Sequence, residues 1–83
     1  MGGIRMTIYY DPHAAFQIAR RSIPAEWIEQ TLFQPDALKD RMDGKTSFLK
    51  YFPEKGKMLR VVTRQDDHRY IITAYFDRRR PCE

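Results

Sequence analysis

The sequence predicts an α+β domain in which two N-terminal helices pack on one face of an antiparallel sheet of three or four strands. Two observations carry that expectation. Helical periodicity is confined to the residues before Asp36 and alternation takes over after it, so the two kinds of element are segregated along the chain. The strand-like runs are separated only by the turn signals Pro53-Glu54-Lys55-Gly56 and Gln65-Asp66-Asp67-His68, connections too short for a parallel crossover. With 83 residues and no repeat, low-complexity tract or linker, the chain reads as one domain over 1–83. Residues 1–6 read as an extension, with Met6 as an alternative start, and 77–83 as a basic tail.

Each element has its own sequence reason. From Thr7 to Tyr10 a β-branched and aromatic run predicts a short strand. Asp11 is a helix N-cap, and Pro12 suits the first helical position, where its missing N–H costs nothing. That helix should run to about Arg21, with Ala15, Ile18 and Ala19 on its buried stripe and Arg20 and Arg21 complementing the dipole at its end. Pro24 opens a second helix, Glu26 and Glu29 favour its early turns, and Trp27, Ile28, Thr31 and Leu32 form a stripe that stops before Pro35. Residues 47–52, 58–64 and 69–76 then read as strands. Alternation puts Leu59, Val61 and Thr63 with Tyr70, Ile72, Ala74 and Phe76 on the face that receives the helices. The opposite face should carry Arg60, Val62 and Arg64 beside Ile71, Thr73 and Tyr75 and, in one register, Phe48, Lys50 and Phe52.

Composition narrows the function classes. Cys82 is the single thiol, so no intrachain disulfide can form, and with two histidines a structural zinc site is not expected. No apolar run approaches a membrane span and no secretory pattern opens the chain, so a reducing cytoplasm is the expected setting, with no cofactor and no membrane partner. The four glycines, Gly2, Gly3, Gly44 and Gly56, form no phosphate loop, which excludes P-loop nucleotide hydrolysis. Net charge is +4 and unevenly placed: residues 1–43 balance at −1 and residues 44–83 at +5. That asymmetry suits an anionic partner, either a nucleic acid or an acidic protein, although a solvated basic face gives the same pattern.

Arg60 and Arg64 lie either side of Val62, so on a strand both project from one face, where two guanidinium forks can bracket a phosphodiester. With Lys50 and, after the last strand, Arg78 and Arg79, they form the expected nucleic-acid-binding set. His13 falls in the first turn of a helix, where the positive end of the dipole favours the neutral imidazole that a general base needs. A histidine near arginines suits RNA cleavage by the 2′-hydroxyl, which needs a base, a cation for the phosphorane and an acid for the departing 5′-oxygen, with no obligatory metal. The plainer alternative is a capping or packing His and arginines whose stems cover apolar surface. His68 sits in a polar turn and reads as exposed and inert.

The stretch His13-Ala14, then Arg21-Ser22-Ile23, a short acidic helix ending near Pro35, Leu59-Arg60-Val61-Val62 and Ile72-Thr73-Ala74-Tyr75 resembles the small prokaryotic domain of unknown function family 4258 across residues 9 to 76. That family is similar in layout to RelE- and ParE-type toxins and to barnase-like ribonucleases. The resemblance implies a metal-independent RNase toxin whose catalytic set is His13, Arg21, Arg60, Thr73 and Tyr75 and whose partner is an acidic antitoxin. Two positions depart from the pattern: Gln17 stands where relatives carry Arg one helical turn after the His, and Pro24 replaces a Ser cap. A family is not an activity. A noncatalytic module, whose basic sheet face docks an acidic protein or nucleic acid, is the competing expectation.

Overall fold

The computed structural model describes residues 7–77, so the expected extension over 1–6 and the residues Arg78, Arg79 and Cys82 lie outside the described residues. Strand β1, Tyr9–Tyr10, leads into helix α1, Pro12–Arg20, and helix α2 spans Ala25–Phe33. Strands β2, Ala37–Asp40, β3, Lys45–Phe52, β4, Lys57–Arg64, and β5, Tyr70–Asp77, follow. They form one sheet in the order β1-β5-β4-β3-β2. Among the described residues, no helix is long and apolar enough to cross a membrane.

The α+β class stands, with two corrections to its sheet. It has five strands rather than three or four, and it is mixed, because β1 pairs with β5 in parallel while every other pair is antiparallel. Strand β2 has no apolar alternation to announce it, and all four of its residues are exposed. It is held by pairing with β3 and by Asp36 and Asp40. The Asp36 carboxylate accepts the Tyr51 N–H at 2.7 Å, and Asp40 accepts the Thr46 hydroxyl at 2.9 Å.

Helix α1 starts as expected: the Asp11 side chain accepts the His13 N–H at 2.9 Å and Pro12 is the first helical residue. It ends in a Schellman turn, with Ser22 N–H donating to Ala19 and Ile23 N–H to Ile18. The left-handed position is filled by Ser22 at φ 55° rather than by glycine. Ile23 is thereby folded back into the core.

The core lies between α2 and one sheet face. Ile28 and Leu32 meet Phe48, Phe52, Leu59, Val61, Ile71 and Ala74, while Trp27 stacks on Phe52 at 4.5 Å and meets Phe76 edge-on at 6.0 Å. Helix α1 contributes Ala14 to this core but packs against β5, whose outer edge β1 covers only at Tyr70 and Ile71. The helices therefore do not share one face as expected: α2 covers it, and α1 runs along its border.

A register shift refines the strand faces. Thr63 pairs with Ile71 but Val62 with Thr73, so Ile72 is left unopposed in a bulge. Ile71 turns to the core, where Ile72 was expected, and Tyr70 turns to the opposite face. Phe48, Lys50 and Phe52 are cross-strand partners of Val61, Leu59 and Lys57, which puts them on the helix-bearing face and away from Arg60 and Arg64.

Candidate functional site

The polar residues of α1 gather along its border with β5. His13, Gln17 and Arg21 recur every four residues and so form one row along the helix. Gln17 joins them: its amide nitrogen lies 2.8 Å from His13 Nε2, and its carbonyl oxygen accepts from Arg21 Nη1 and from the Thr73 hydroxyl, each at 3.0 Å. The tautomer that fits this network accepts at Nε2 and carries its proton on Nδ1. Arg21 Nη1 also donates to the Ala74 carbonyl at 2.9 Å, tying the helix to the edge of β5. Its guanidinium lies 6.0 Å from the centre of the Tyr75 ring.

Tyr75 is the cross-strand partner of Arg60, which sets the fifth of the expected catalytic residues next to the Tyr75 end of the row. Arg60 is largely buried and ion-paired to Asp77 at 3.1 Å, but its shielded Nε–H has no acceptor. A buried donor in that state carries an uncompensated desolvation cost. His13 and Arg21 are exposed, whereas Gln17, Thr73 and Tyr75 are half-buried, so the row is open to solvent on one side and anchored on the other.

The other expected contacts scatter. Arg64 is exposed and bonded twice to Asp66, through Nε and Nη2 at 3.0 Å each. Those bonds and the charge of Asp66 hold its guanidinium above the usual arginine range. Arg64 also lies 5.8 Å from the Tyr70 ring, whose hydroxyl donates to Asp11 at 3.1 Å. That link connects it to the start of α1. Lys50 donates to the Gln34 carbonyl just past α2, on the other sheet face, and so does not join the arginines. His68 is exposed and touches Phe48 edge-on at 5.1 Å. Among the described residues, no three His, Cys, Asp or Glu side chains converge in a way that could hold a metal ion.

Sequence reasoning ranked Gln17 as a departure rather than a site residue, yet it is the hub of the row. The i, i+4, i+8 spacing with His13 and Arg21 was the available signal. The sequence family described as Domain of unknown function (DUF4258) matches residues 10–76. The chain belongs to this family. The match runs from the last residue of β1 to within one residue of the end of β5, so the DUF4258 domain takes in all of α1, β5 and the polar row between them. No curated protein and no solved structure gives a significant match to the chain.

Proposed function

We propose that this DUF4258 domain is a metal-independent endoribonuclease of the RelE- or ParE-like toxin type, acting on single-stranded RNA and held in check by an acidic antitoxin. The observation that supports it is the row at the α1–β5 border, where Gln17 links His13, Arg21 and Thr73 and Tyr75 connects them to Arg60. In this reading the 2′-hydroxyl displaces the Gln17 amide from His13 Nε2, which takes its proton as the 2′-oxygen attacks the adjacent phosphorus. The bond from phosphorus to the 5′-oxygen breaks, water from the open side protonates that oxygen, and the products are a 2′,3′-cyclic phosphate and a 5′-hydroxyl. Arg21 stabilises the charge that builds on the phosphorane, Arg60 adds its charge from the neighbouring strand, and Thr73 and Tyr75 position the RNA.

A second reading has its own observation. On the sheet face opposite α2, Arg64 is exposed beside the half-buried ring of Tyr70, a cationic and aromatic surface that suits a docked acidic segment of another protein. One experiment separates the two. With purified protein and single-stranded RNA in excess EDTA, the ribonuclease reading expects cyclic-phosphate products. It also expects a loss of about 100-fold or more in turnover for His13→Ala, with RNA affinity nearly unchanged. Equal background cleavage with and without His13 defeats the enzyme and leaves the binding module.

A further inference from the structure

At the C-terminal end of α1 the row opens into a cleft of about 510 Å³, lined by Arg21, Lys55, Lys57, Tyr75 and Phe76. It sits between the end of the helix, the β3–β4 turn and the last residues of β5. Three cations and no carboxylate line it. Elsewhere among the described residues Arg41, Lys45, Arg60, Arg64 and Arg69 each meet an aspartate, but Arg21, Lys55 and Lys57 form no such pair there. Lys55 instead lies 5.6 Å from the centre of the Phe76 ring. The charge in the cleft is therefore not compensated within the described fold.

We propose that this cleft binds one nucleotide of the RNA strand, its phosphate on Lys55 and Lys57 and its base against the aromatic lining, with Arg21 at the boundary between this place and the attacked phosphate. The proposal rests on the ribonuclease reading and adds to it a second subsite. Lys55 and Lys57 come from the β3–β4 turn and the start of β4, outside the row of His13, Gln17 and Arg21, so the phosphate they hold is the neighbour of the one attacked beside His13. Two features favour a nucleotide over an acidic peptide. Tyr75 and Phe76 offer aromatic faces that a base can use and a carboxylate cannot, and the volume suits a ligand of nucleotide size. The lysines supply point charges without geometric demand, and Arg21, with Nη1 already spent on Ala74 and Gln17, keeps its other N–H groups for a phosphate oxygen.

The test uses the full chain and an octamer of 2′-O-methyluridine, which cannot be cleaved by its own 2′-oxygen. Anisotropy titrations across a salt series should show weaker binding for Lys55→Gln/Lys57→Gln. The slope of log affinity against log salt should be shallower by about 0.7, the value of the one single-strand phosphate contact the two lysines share. Lys55→Gln alone should give about half that change. An unchanged slope in the double variant overturns the proposal. So does polyglutamate of matching length, if it binds the wild type as tightly as the octamer and loses the same affinity in the variant, because the cleft is then a general acidic docking site. Since the probe is uncleavable, the binding result decides the cleft whether or not His13 turns over substrate. Cleavage of a dinucleotide, too short to fill both places, reports separately on the catalytic reading and should be unaffected by the lysine substitutions.

Discussion

At the scale of single residues, Gln17 decides how much positive charge the row carries. It satisfies His13, Arg21 and Thr73 with one neutral amide, at the position where the family resemblance points to arginine. Gln17→Arg adds a cation beside Arg21, so it should tighten RNA binding at low salt and steepen the salt slope by about 0.7, the value of one further single-strand phosphate contact. A slope equal to the wild type's would place the RNA elsewhere. Two tyrosines make stability depend on alkaline pH. The hydrogen bond to Asp11, with burial and the Asp11 charge, raises the Tyr70 phenol, while burial and then the charge of Glu29 raise Tyr10. Both hold their protons more tightly folded than unfolded. Their contribution is therefore complete below the ordinary tyrosine value near 10 and is lost as pH rises through the higher folded values. Urea melts taken across that range should show falling stability, and Tyr70→Phe should make the fall shallower; an identical fall would detach it from Tyr70.

Among the elements, the turn between α1 and α2 holds the clearest strain. Ser22 occupies the left-handed region at φ 55°, where a Cβ is penalised, in order to close the Schellman turn that sends Ile23 into the core and sets Arg21 against β5. Ser22→Gly should remove that penalty and, after the entropy cost of glycine, raise stability by about 0.5–1 kcal/mol, read as a higher urea midpoint. A lower midpoint would mean that the serine side chain contributes more than its strain costs. The elements the sequence announced were those with strong local signals. Asp11-Pro12 marked the start of α1, Pro35 marked the limit of α2, and alternation marked β3, β4 and β5. Strand β2 was invisible because Ala37, Leu38, Lys39 and Asp40 bury nothing and follow β3 only by backbone pairing and two aspartate contacts. The bulge was invisible for a different reason: Ile71 and Ile72 are the same residue type, so the pattern fits either one facing the core. That single ambiguity also hid Tyr70 from the Arg64 side. The row at the α1–β5 border was half legible, since the helical spacing was present but the parallel β1–β5 pair that sets α1 at the sheet border carries no local signature.

For the whole molecule, the margin is set by size. A domain of 83 residues is expected to have about 4–12 kcal/mol of stability, at roughly 0.05–0.15 kcal/mol per residue. Ile28 is fully buried between α2 and the sheet, and Ile28→Ala should cost about 2–5 kcal/mol, enough to consume a large part of that margin. Its effect on the α1–β5 border should appear only through the unfolded fraction. RNA affinity that falls while urea melts stay unchanged would contradict that separation. Tyr9 and Tyr10 meet Tyr70 and Ile71 across most of the chain's length, and the hydrogen bonds that tie Gln17 and Arg21 to the sheet are made to β5. During translation α1, α2 and the β2–β4 meander leave the ribosome before β5 does, so the border between α1 and β5 cannot exist until residues 70–77 have emerged. A chain stopped by a premature termination codon between Ser22 and Tyr70 carries His13 and Arg21 but has nothing to assemble them against.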